Sequence, residues 1–78
     1  MSTTVVERAP LATKVTCNAD EMVVDLADGR RLSVPLAWFP RLATASAEAL
    51  ANYELLGDGE GIHWPDLDED LSVEGLLQ

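Results

Sequence analysis

The fold is decided by Thr13-Lys14-Val15-Thr16-Cys17-Asn18-Ala19-Asp20-Glu21-Met22-Val23-Val24-Asp25-Leu26-Ala27-Asp28-Gly29-Arg30-Arg31-Leu32-Ser33-Val34-Pro35. Apolar residues alternate in three short runs: Val15 and Cys17; Met22, Val24 and Leu26; Leu32 and Val34. Alternation is the mark of strands buried on one face. A slip of one residue would turn each set to the other face, so the turns can be tested against the pattern. With Ala19-Asp20 at the tip of the first hairpin, Cys17 faces Met22 and Val15 faces Val24. A two-residue turn at Asp28-Gly29 would set Leu26 against Arg31 and spoil the apolar face. A three-residue loop, Ala27-Asp28-Gly29, with Gly29 in the left-handed conformation, pairs Val24 with Leu32 and Met22 with Val34. The sequence therefore predicts an antiparallel meander with Thr16, Asp25, Arg31 and Ser33 on its polar face.

Outward from this core, Pro35 closes the third strand because it has no amide to continue a ladder. Leu36 to Leu42 is interrupted by Pro40 and reads as one helical turn. Ser46 is a good N-cap for a helix over residues 47–52, with Glu48 in its first turn. Glu54-Leu55-Leu56 and Gly61-Ile62-His63-Trp64 flank glycines and read as a second hairpin. Residues 66–71 read as an irregular acidic loop, and Ser72 caps a last turn over residues 73–77. The expected class is α+β, in the order β-β-β-α-β-β-α, with a three-stranded antiparallel meander, a second short hairpin and short helices. Residues 1–10 are expected to be a flexible leader and residues 11–78 a single α+β domain.

Of the 78 residues, five are Lys or Arg and fourteen Asp or Glu, for a net charge of −9. The distribution is uneven. Arg8, Lys14, Arg30, Arg31 and Arg41 all precede Glu54, whereas the stretch from Glu54 onward holds Glu54, Asp58, Glu60, Asp66, Asp68, Glu69, Asp70 and Glu74 with no base. Phosphate backbones are bound by Lys and Arg, so nucleic acid is not an expected partner, and a basic protein is. Acidic surface also simply keeps a small protein in solution. No run of apolar residues suits a signal peptide or a membrane span, and a single cysteine, Cys17, forms no internal disulfide. A cytoplasmic setting is expected, with Cys17 an inert buried thiol.

Little here suggests catalysis or a bound group, so neither enzyme activity nor a cofactor is expected. Asp66, Asp68 and Asp70 imitate the start of a calcium loop, but Leu71 stands where glycine is needed and Leu77 where a glutamate is needed. No metal is expected there; these acids serve local amides or Arg30, Arg31 and Arg41. His63, the only histidine, lacks a companion for zinc or nucleophilic chemistry. On a strand His63 and Trp64 face opposite ways, so one packs and the other lines the surface. Trp38 and Trp64, with Arg41, are of the types that anchor interfaces. The candidate partner-binding set is therefore Trp38, Arg41, His63, Trp64, Asp66, Asp68, Glu69 and Asp70.

The strings Ala27-Asp28-Gly29-Arg30, Val34-Pro35-Leu36-Ala37-Trp38-Phe39-Pro40-Arg41-Leu42 and Gly61-Ile62-His63-Trp64-Pro65-Asp66-Leu67-Asp68-Glu69-Asp70-Leu71-Ser72 resemble the domain of unknown function family 2442 over about residues 13–77. The resemblance implies a small bacterial α+β domain, found alone or ahead of a helix-turn-helix, and brings no catalytic residue. Genes of that family often neighbour those of another short family, and the pair has been proposed as a toxin–antitoxin module. The expected function is a non-enzymatic interaction module, antitoxin-like, that binds a basic partner through its acidic C-terminal region. The alternative is a small regulatory or ligand-binding domain with a pocket near Trp38, His63 and Trp64. A homodimer through a strand edge or the Trp38 region is a further expectation.

Overall fold

The computed structural model of the chain describes residues 10–77; the expected leader lies outside these residues apart from Pro10. Strands β1 (Ala12–Cys17), β2 (Glu21–Leu26) and β3 (Arg31–Pro35) form an antiparallel sheet in that order. Val15 faces Val24, Cys17 faces Met22, Val24 faces Leu32 and Met22 faces Val34, the registers that alternation requires. The first turn is held by Asn18, whose side-chain oxygen accepts from the amides of Asp20 and Glu21. The second is the three-residue loop, with Leu26 N–H donating to Arg30 O at 2.9 Å and Gly29 at φ +95°.

Alternation fails at the start of β1, for a local reason. Ala12 faces Leu26 whereas Lys14 faces Asp25, so Thr13 is an extra residue in the ladder. This bulge resets the pleat and lets Ala12 and Val15, three residues apart, both turn inward. The Thr13 hydroxyl donates to the Asp25 carbonyl at 3.2 Å.

After β3 the chain makes two short turns where one was expected: a 3-10 turn at Leu36–Trp38 and α1 (Pro40–Ala43), which begins on proline, a residue suited to a first helical position. Leu36, Phe39 and Leu42 recur every three residues and pack inward; Trp38 falls off that face and is 68% exposed. Helix α2 (Ala47–Ala51) follows, and the Ser46 hydroxyl accepts from Ala49 N–H at its start.

The second sheet holds β4 (Glu54–Leu56), β5 (Gly61–Trp64) and β6 (Glu69–Ser72), in that order and antiparallel. The overall order is the α+β arrangement expected, with one correction: residues 69–72 add a third strand where an irregular loop was read. Its main chain pairs with β5, setting Ile62 opposite Leu71 and His63 opposite Asp70. The last helix, α3 (Val73–Leu76), is capped by Ser72, whose hydroxyl accepts from Gly75 N–H.

One apolar cluster joins the two sheets. Met22, Val24, Leu42, Ile62, Trp64 and Val73 are fully buried within it. The join is also made by hydrogen bonds: Ala12 N–H donates to Gly59 O at 2.8 Å, and Val15 N–H donates to the Tyr53 hydroxyl at 3.0 Å. Both partners lie more than thirty-five residues further along the chain than the strand they hold.

Candidate functional site

The outer face of the second sheet carries a transverse row. The β4–β5 register sets Glu54 opposite His63, and the β5–β6 register sets His63 opposite Asp70. Directly opposed residues on adjacent strands share a face, so the imidazole sits between two carboxylates. His63 Nδ1 is bonded to Asp70 Oδ1. An ionised carboxylate only accepts, so when Asp70 is ionised Nδ1 is the donor of this bond. The Asp70 hydrogen bond raises the imidazole pKa above its ordinary value against a smaller opposing effect of desolvation, and the charges of Asp70, Glu54 and Asp68 add to the rise. Asp70 itself is well exposed, with 68% of its side chain open to solvent.

The hairpin between β5 and β6 brings the remaining acids to one end of this sheet. Leu67 N–H closes the turn on Trp64 O, and Asp68 adopts φ +52°, a conformation that aspartate tolerates better than most residues. Arg41 reaches across from α1: its Nη1 donates to the Asp68 carbonyl at 2.9 Å and lies 4.0 Å from Glu69 Oε1. Asp66 accepts from Asn52 Nδ2 at 3.1 Å. Arg30 and Arg31 are engaged elsewhere, with Asp28 at 2.8 Å and Asp25 at 2.7 Å, so of the three arginines expected to serve these acids only Arg41 does so.

The candidate set thus divides. His63, Asp66, Asp68, Glu69 and Asp70 fall on or beside one sheet. Arg41 is a brace for the acidic turn, and Trp38 lies in the 3-10 turn after β3. Trp64 must be removed from the surface set: it is fully buried, and its indole Nε1 donates to Leu50 O at 3.1 Å. The physical reason is the pleat, which turns Ile62 and Trp64 to the same side and His63 to the other. Ile62, at two residues' distance, was the signal that could have assigned the tryptophan inward. Glu54 is the residue that sequence reasoning missed, and the turn length between β4 and β5 could have placed it.

Because Trp64 lies in the core, it supplies no wall to a pocket beside Trp38 and His63. Among the described residues two recesses lie on the side of β1 that α2 covers. One, of about 240 Å³, is lined by Val15, Ala47 and Tyr53; the other, of about 350 Å³, by Leu36, Leu42 and Ala45; both touch Cys17 and Leu50. Cys17 is half-buried rather than enclosed, and burial pushes its thiol pKa upward, away from the reactive thiolate. Among the described residues no group of histidine, cysteine and carboxylates could hold a metal ion, and no helix is long and apolar enough to cross a membrane.

Two small antiparallel sheets sharing one core, with an acidic outer face on the second, define a small α+β domain. The chain belongs to the family described as Protein of unknown function (DUF2442), whose model matches residues 12–78. It is similar to a protein of unknown function from Rhodospirillum rubrum ATCC 11170, known from a crystal structure at 2.75 Å resolution. The two share 36% identity, the match covers 90% of this chain and 87% of that one, and the TM-score is 0.77. No curated protein matches in sequence.

Proposed function

We propose that this chain is a non-enzymatic interaction module that receives a basic segment of a partner protein on its second sheet. The observation that carries the reading is the Glu54–His63–Asp70 row with Asp66 and Asp68 beside it, in a stretch of chain that contains no lysine or arginine. Among the described basic residues only Arg41 reaches this acidic turn, and one of its nitrogens donates to a backbone carbonyl. The face therefore keeps a surplus of negative charge that a cationic segment would neutralise. The family's gene neighbourhood, taken with this surface, supports the narrower reading of an antitoxin-like member of a toxin–antitoxin-type pair.

The test is capture from a native lysate on the immobilised chain and on a variant combining Glu54→Gln, Asp66→Asn, Asp68→Asn and Asp70→Asn, followed by titration of the purified partner at low and high salt. Binding of a small basic protein to the parent chain, lost in the variant and weakened by salt, is the expected result. A partner that binds both chains equally, at either salt, would overturn the reading.

A further inference from the structure

The first sheet has two edges, and they differ. The β1 edge is occupied: Val15 N–H is taken by the Tyr53 hydroxyl, and Ala12 N–H by Gly59 O. Among the described residues β3 forms the other edge. The hydrogen bonds from Leu26 N–H to Arg30 O and from Leu36 N–H to Asp20 O fix the alternation at both ends of the β2–β3 ladder. Leu32 and Val34 therefore turn their backbone groups toward β2, whereas Arg31 and Ser33 turn theirs outward, and Pro35 offers a carbonyl without an amide. Arg31, Ser33 and Pro35 are exposed.

Beside this edge lies an open recess of about 350 Å³ lined by Asp20, Glu21, Ser33, Val34 and Pro35. Two carboxyl-bearing residues border it, and the same edge carries a cation, Arg31, two residues before Ser33. We infer that β3 pairs antiparallel with β3 of a second copy, the two-fold axis passing between the Ser33 residues, with Arg31 of each copy seated in the other's recess. In this register each Ser33 N–H donates to the facing Ser33 carbonyl, and each Arg31 N–H donates to the facing Pro35 carbonyl, so the amide that proline lacks costs only one acceptor per copy. Opposed residues share a face, and Val34 falls opposite Leu32, which keeps the apolar side continuous. Arg31 falls opposite Pro35, whose own neighbour across β2 is Glu21.

Other registers fit less well. Centring the axis on Leu32 would bring the two arginines diagonally together, and centring it on Val34 would leave Arg31 facing Ala37, beyond the strand. Arg31 now bonds Asp25 with its side chain 75% exposed. An exposed pair contributes little, so turning the guanidinium outward gives up little. The like charge that opposes self-association is concentrated on the other sheet. Joining the two edges makes one six-stranded sheet and leaves both acidic faces uncovered, so the pairing is compatible with the function proposed above without depending on it.

Sedimentation of the full chain from micromolar to millimolar concentration tests this, with far-UV circular dichroism to check folding of each variant. The parent chain is expected to pass from monomer to dimer. Ser33→Pro removes an outward amide while leaving the β2–β3 hydrogen bonds their donors, and Arg31→Glu reverses the charge at the recess; each is expected to weaken dimerisation by about tenfold or more. The double exchange Arg31→Glu with Glu21→Arg is expected to restore it. A parent chain that stays monomeric throughout would overturn the inference, as would a dimer indifferent to both single variants. If Ser33→Pro does not fold, the charge reversal and its rescue decide the matter alone.

Discussion

The indole nitrogen of Trp64, on β5, donates to the carbonyl oxygen of Leu50, near the end of α2, at 3.1 Å. Both residues are buried, so this bond ties the second sheet to the helix that packs on the first where water cannot replace it. Trp64→Phe keeps most of the ring but leaves that carbonyl without its donor and opens a small void. The expected loss is about 2–3 kcal/mol, read as a lower denaturation midpoint in urea. A domain of this size has about 3–5 kcal/mol in total, so the variant should unfold near ambient temperature.

Gly59 is required where the sheets meet. Its φ is +111°, and a β-carbon there would strike the backbone carbonyl oxygen of Ala12. Gly29 also has positive φ, at +95°, but open space around it. Gly59→Ala should therefore cost about 2 kcal/mol or more, and Gly29→Ala about 1 kcal/mol. Thermal melts of the two variants check the ranking; equal losses would mean that backbone conformation alone, without the clash, governs both sites.

Tyr53→Phe removes the hydroxyl that accepts from Val15 N–H at 3.0 Å. The expected cost is about 1 kcal/mol, with faster hydrogen exchange at the Val15 amide and unchanged exchange at amides inside the β2–β3 ladder. Uniformly faster exchange would show that the hydroxyl supports the whole sheet and not one strand edge.

His63 should titrate above the ordinary imidazole range because Asp70 bonds its protonated form and Glu54 and Asp68 add their charge. A folded pKa raised above the unfolded value of about 6.5 contributes stability that is complete below that value and is lost as pH rises through the folded pKa. Asp70→Asn should lower the pKa, as followed by proton NMR of the imidazole, and should flatten the stability change across that window. An unaltered titration in the variant would show that the bond contributes nothing in solution.

The first sheet was legible because its side chains alternate and only one loop length keeps the faces consistent. Val24 opposite Leu32 follows from that constraint alone. The bulge at Thr13 was not legible, since nothing in Ala12-Thr13-Lys14 distinguishes an inserted residue from a regular one until Ala12 is seen to be buried. Strand β6 escaped for a different reason. Glu69-Asp70-Leu71-Ser72 has a single apolar residue and weak strand propensity, and its conformation comes from main-chain pairing with β5. The acids of the candidate site were legible from composition, but their grouping around His63 depends on registers between strands. Residue type alone left open which of His63 and Trp64 packs; the spacing of Trp64 from Ile62 places the tryptophan inward, where it is fully buried.

β1 is not complete when its own hairpin with β2 has formed. Its amides at Ala12 and Val15 wait for Gly59 and Tyr53, and closing loops of that length precedes any return from the contacts they make. During synthesis, when residues leave the ribosome in order, the meander can form early but its outer edge stays open until the glycine turn emerges. Until then the free amides of β1 form an open strand edge, the feature that pairs with other chains.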